Sequence, residues 1–118
     1  MIDRAALLAM LAVLACSEEP ARSGVDPSIP VADLESPDVQ KFCDWAIDLE
    51  GGVGNSHDCD DGTTLTTKSV ASCVDTLADL TCTDTIGSFE DCLLAIDGNL
   101  CLIATTPACA AFDACFPQ

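Results

Sequence analysis

Four stretches of the chain place apolar residues at the three-and-four spacing of a helix that buries one face. In the first, Val39, Phe42, Cys43, Ala46 and Ile47 recur while Asp38, Asp44 and Asp48 fall on the opposite side. With Ser36 as cap and Pro37 at the first helical position, where a missing N–H costs nothing, the pattern predicts a helix over residues 37–50. Gly51-Gly52 stops it. A second helix is predicted from Val70, Cys73, Val74 and Leu77, starting near Thr67 and ending before Cys82, with Asp75 and Asp79 outward. In the third, Ser88-x-x-Asp91 approximates a capping box, Phe89, Cys92, Leu93 and Ile96 form the buried stripe, and Gly98-Asn99 end it. The fourth is short: Thr106 caps, Pro107 leads, and Ala108, Ala111, Phe112 and Cys115 line one face.

Between the first two helices, residues 51–65 are polar, contain Cys59, and read as a loop. Residues 17–36 combine Pro20, Pro27 and Pro30 with Ser, Gly and acids and show neither helical nor alternating periodicity, so they read as a flexible acidic tether. A flexible chain of that length holds its end about 25 Å away. The fold class expected is therefore all-α: a small disulfide-stapled domain of about four short helices with long loops over residues 37–118. Val70-x-x-Cys73-Val74-x-x-Leu77 followed by Cys82 matches Phe89-x-x-Cys92-Leu93-x-x-Ile96 followed by Cys101, which suggests an internal repeat, although any amphipathic helix with one inward cysteine gives the same match.

Ahead of the tether, Ala5 to Ala15 is an uninterrupted apolar run of signal-peptide length, well short of the roughly 20 residues that span a bilayer. It ends in Val13-Leu14-Ala15-Cys16, which resembles the lipobox of bacterial lipoproteins. That resemblance implies removal of residues 1–15 and a lipid on Cys16, leaving residues 16–36 as lipidated cysteine and linker. An ordinary secretory signal, or a core helix of an unexported protein, are the alternatives. Ser17 follows the cysteine in place of the Asp that retains such proteins at the inner membrane, so the resemblance implies an outer-membrane protein on the periplasmic face or cell surface.

Composition sharpens this picture. Acidic residues number 20 against 4 basic ones, a net charge of −16, which argues against nucleic acid as a partner and against adhesion to an anionic membrane through a basic patch. Membrane attachment then falls to the covalent lipid. Tyr is absent and Trp occurs once, at Trp45, so a domain this small gains only a thin apolar core and needs an added constraint. Trp45 borders the buried stripe of the first helix and reads as core packing, with a partner anchor as the alternative.

Nine cysteines supply the constraint. Assigning Cys16 to lipid leaves Cys43, Cys59, Cys73, Cys82, Cys92, Cys101, Cys109 and Cys115, an even number, as expected of four disulfides in an exported chain. No CxxC occurs, which argues against thioredoxin-like redox chemistry and zinc ribbons. Of 105 pairings the spacing selects none; antiparallel packing of the last helices suggests that Cys92 and Cys101 staple to Cys109 and Cys115. The spacing of Cys73 to Cys115, with Thr85-Ile86-Gly87-Ser88-Phe89-Glu90-Asp91-Cys92 and Pro107-x-Cys109, resembles a set of uncharacterised cysteine-rich secreted proteins and lipoproteins of myxobacteria. The resemblance covers about the carboxy-terminal half and implies compartment and disulfides, not an activity.

Candidate chemistry is sparse. His57-Asp58-Cys59-Asp60-Asp61-Gly62 fails as an EF-hand loop, because Gly62 at position six puts Cys59 at position three and Lys68 at position twelve; a looser calcium contact by Asp58, Asp60 and Asp61 competes with a solvated acidic loop. Gly51-Gly52-Val53-Gly54 follows a helix, the wrong context for phosphate. His57 is the only histidine, so any triad must run through it. The reading is a lipid-anchored, non-enzymatic cell-envelope protein acting as a binding or structural module, with no cofactor, no metal and no catalytic residue assigned. A small inhibitor or effector, and a hydrolase using His57 with Asp60 and Asp61, are the alternatives.

Overall fold

The computed structural model describes residues 21–116. The apolar run and Cys16, on which the signal and lipid expectations rest, lie outside them. Four α-helices occur among the described residues: α1 (Ser36–Leu49), α2 (Val70–Ala78), α3 (Ile86–Ala95) and α4 (Ala110–Cys115). Three 3-10 segments, Val31–Asp33, Leu100–Thr105 and Pro107–Cys109, and one antiparallel hairpin, β1 (Ser56–Asp58) with β2 (Thr64–Thr66), complete them. The protein is thus mostly helical, but the all-α expectation needs correcting by the hairpin, which lies where a loop was expected.

The central element is α3. Ile86, Phe89, Cys92 and Leu93 bury its inner face, and Phe42, Cys43 and Ala46 of α1 complete the core with Ile96, Cys109 and Cys115. Phe42 and Phe89 sit 6.5 Å apart, and Phe89 lies 5.1 Å from Phe112, so an aromatic line joins α1 to α4 through α3. Such tilted pairs supply specific contact beyond area burial in a core this small.

Helix ends follow local chemistry, with shifts from expectation. Residue Glu35, not Ser36, caps α1, and Pro37 falls within the first two helical positions; the Glu35 carbonyl accepts from Asp38 and Val39. On α3 the cap is Thr85 rather than Ser88: its hydroxyl accepts from the Ser88 N–H, as Ser69 accepts from Ser72 on α2. Thr106 does not cap with its side chain, which instead donates to the Leu102 carbonyl at 2.7 Å. Pro107 leads a 3-10 turn before α4, so the fourth helix is shorter than its stripe suggested. Gly98, at φ +74°, ends α3 with its N–H on the Leu93 carbonyl at 3.1 Å, and a Cβ there would lie 2.1 Å from the Leu49 carbonyl oxygen. The close pass of α1 over that turn therefore requires glycine.

Residues 21–35, expected as part of a free tether, are docked. Val25 and Val31 are buried, and Pro30 bridges Thr85 in antiparallel fashion. This strap solves a problem that α3 cannot solve alone, since the first N–H groups of any helix lack internal partners. Ile29 and Pro27 carbonyls accept from Ile86 and Gly87, at 2.9 and 3.0 Å, while Val31 N–H donates to Asp84. Gly87 permits the approach: a Cβ there would lie 2.8 Å from the Pro27 carbonyl oxygen. Beyond it, Ser23 donates its N–H and hydroxyl to one oxygen of the fully buried Glu90, and Arg22 lies 3.6 Å from the other and 2.8 Å from Asp91. Residues 21–35 thus pack on the helices as part of the folded unit. A tether reading built on local composition misses this because the apolar contacts of the strap are all tertiary.

Four disulfides close the fold: Cys43–Cys73, Cys59–Cys101, Cys82–Cys115 and Cys92–Cys109. All eight cysteines expected to pair do so. The suggested stapling of Cys92 and Cys101 to Cys109 and Cys115 holds for Cys92–Cys109 only, because Cys101 turns away to the hairpin and Cys115 to Cys82 in the segment between α2 and α3. Cys59–Cys101 crosses each of the other three in chain order, so it locks the hairpin onto the carboxy-terminal half. By the chain-entropy argument, closures of 17 to 42 residues each stabilise by about 3–4 kcal/mol. The sequence match between α2 and α3 has no structural counterpart: α2 buries only Leu77, α3 is central, and their cysteines pair in different directions.

Candidate functional site

The hairpin owes its shape to its polar residues. Asp61 accepts from Thr63 N–H at 2.9 Å, Gly62 takes φ +87°, and the chain reverses so that Ser56 faces Thr66, His57 faces Leu65 and Asp58 faces Thr64. Thr64 donates to Asp58 at 3.0 Å, and Ser56 and Thr66 hydroxyls meet at 3.1 Å. The accepted hydrogen bonds hold the exposed Asp61 carboxyl below the usual carboxylate range. Acids that read as calcium ligands are thus spent in part on the turn.

The Cys59–Cys101 bridge sets this hairpin against Leu100–Thr105 and leaves a groove of about 650 Å³, open to solvent, between the hairpin, that segment and α4. Its floor is apolar: Leu65, Leu100, Ile103, Phe112 and Phe116. Leu102, 42 % exposed, stands on its lip and is one of two exposed large hydrophobic residues among the described residues, the other being Val53. Asp58, Asp60, Asp61 and Asp113 line the groove, and among the described residues no Lys or Arg does. Phe112 and Phe116, ring centres 4.6 Å apart, together with Leu100 also wall a smaller cleft of about 150 Å³ toward Phe42 and Leu77. The size of the larger groove lies in the range of ligand-binding sites.

The remaining candidates disperse. His57 Nε2 lies 3.2 Å from the Glu50 carbonyl oxygen and from Asn55, on the α1 side of the hairpin, and among the described residues no hydrogen bond joins it to Asp60 or Asp61. Glu50 accepts from Thr67 at 3.2 Å; burial pushes its carboxyl above the usual range, against that bond and the nearby His57. Asp58, Asp60 and Asp61 do not converge as metal ligands. Among the described residues the only group of three potential ligand atoms within 4.8 Å of one another is Cys82, Asp84 and Cys115, and its two sulfurs are joined to each other, so no thiolate is on offer. Trp45 is half-buried against the core, 5.7 Å from Phe42, and its indole N–H donates to the Ala21 carbonyl at 2.8 Å. It therefore closes the strap onto α1.

Comparison with known protein families, curated proteins and solved structures yields no match. The groove was not foreseen from the sequence. Its signal was present in pieces, as an acidic turn and a carboxy-terminal run of Leu, Ile and Phe, but only the Cys59–Cys101 bridge brings the two together.

Proposed function

We propose that this chain is an exported protein, held at the outer membrane by lipid on Cys16, whose disulfide domain is a non-enzymatic binding module of the cell envelope. Four disulfides in a domain this small fit an exported or extracellular protein. The observation that carries the binding role is the open groove, whose apolar floor no described residue covers, in a domain too small to leave apolar surface exposed without cost. The anchor rests on Val13-Leu14-Ala15-Cys16 and on arithmetic: eight of nine cysteines pair, and Cys16 is the ninth.

The docked strap changes the geometry of that anchor. Only residues 17–21 separate Cys16 from Arg22, so even fully extended they reach about 18 Å. The domain then sits against the bilayer and not on a long leash. Labelling cells with a radioactive fatty acid tests the anchor: the wild-type chain carries label in the membrane fraction, and Cys16→Ala carries none and accumulates unprocessed. Label on the Cys16→Ala chain overturns the anchor reading. The binding role is tested separately by the peptide experiment below.

A further inference from the structure

We infer that the groove takes a cationic amphipathic peptide segment, one with Lys or Arg along one side and aliphatic side chains along the other. The inference deepens the binding reading and rests on the groove being the binding surface. The floor, from Leu65 to Phe116, offers only apolar contact and asks for apolar groups. Among the described residues, the four acids around it face no basic side chain across the groove. Of the three cations among the described residues, Arg22 is engaged by Glu90 and Asp91, and neither Lys41 nor Lys68 reaches the groove. Asp60, in the hairpin turn, and Asp113, on α4, make no side-chain hydrogen bond among the described residues, so these two carboxylates can meet a ligand.

Charge narrows the choice of ligand. At −16 for the chain, an anionic apolar ligand is repelled at long range and again at the rim, while a cationic one is drawn in. A bare metal ion leaves the floor unused, and the acids do not converge to hold one. An open trough of this size suits several consecutive side chains of an extended or helical segment better than an enclosed cofactor.

The test uses the oxidised full chain carrying Cys16→Ser, purified without detergent, and three fluorescent peptides: one of Lys and Leu, one of Glu and Leu, one of Lys and Ser. The expected result is saturable binding of the Lys/Leu peptide alone, weakened by salt. The Asp60→Asn, Asp113→Asn double variant, which leaves the turn-forming Asp58 and Asp61 intact, weakens it about five- to tenfold. Leu102→Ser weakens it as well, with unchanged circular dichroism in both variants. Equal binding of the Glu/Leu peptide overturns the cationic specificity while leaving the groove a binding site. Equal binding of the Lys/Ser peptide shows charge attraction alone and overturns the amphipathic requirement. Binding by none of the three overturns this inference and the binding role together.

Discussion

Replacing Gly87 with Ala sets two known effects against each other, and the strap decides the sign. In an exposed helix the change stabilises by about 1 kcal/mol, because alanine loses less backbone freedom on folding. Here the added methyl would stand 2.8 Å from the Pro27 carbonyl oxygen and 2.9 Å from its Cβ, both well inside contact distance, and the oxygen belongs to backbone that already bonds to the Gly87 N–H. The strap has to lift by several tenths of an ångström. Overpacking of this kind costs about 1–3 kcal/mol, and it also lengthens the bonds that satisfy the Ile86 and Gly87 N–H groups. A net loss of about 1–2 kcal/mol follows. Urea unfolding with disulfides intact measures it, and amide hydrogen exchange at Val31 and Ile86 localises it, with both amides losing protection while the interior of α1 keeps its own. If Gly87→Ala is instead stabilised by about the helix value and Val31 exchange is unchanged, the strap is not packed on α3 and the docking argument fails.

Other perturbations address the hairpin, the buried carboxyls and the strap. Cys59→Ser with Cys101→Ser removes the 42-residue closure, lowering stability by about 4 kcal/mol in denaturant titration, and abolishes peptide binding before the core melts. Glu50 has its folded-state pKa raised above the ordinary 4.5 by burial, so its protonated form favours the folded state and its contribution is lost as pH rises through the raised value. Glu50→Gln should therefore flatten the fall in melting temperature as pH rises above the ordinary 4.5, and an unchanged slope would contradict that assignment. Ser23→Ala strips the buried Glu90 of its hydroxyl donor and is expected to cost about 1–3 kcal/mol, read by thermal unfolding.

What was legible in the sequence divides along physical lines. Helix α1 declared itself because its stripe, a nearby proline and two stop glycines are all local, and it differs from expectation by one residue at either end. The hairpin did not, since its strands are three residues each, polar outward, with only His57 and Leu65 turned partly inward; an alternating signal needs a buried face. Its one local sign was Asp60-Asp61-Gly62 ahead of the threonine-rich stretch Thr63 to Thr67, where the acids read as ligands and hid the turn. The strap was illegible for a different reason. Prolines and acids hide Val25 and Val31, whose burial depends on Gly87 and Glu90 some sixty residues on. Cysteine participation followed from parity and compartment, whereas pairing depends on which elements touch, and the hairpin that claims Cys101 was itself unseen.

The groove exists only because Cys59 is joined to Cys101, so mapping the disulfides tests the account most directly. Proteolysis of the oxidised protein under non-reducing, acidic conditions, followed by mass spectrometry, is expected to yield a cross-linked species joining the hairpin peptide with Cys59 to the peptide with Cys101, alongside Cys43–Cys73, Cys82–Cys115 and Cys92–Cys109. Recovery of Cys101 bridged to Cys109 or Cys115 would detach the hairpin from the carboxy-terminal half and contradict both the fold and the binding site built on it.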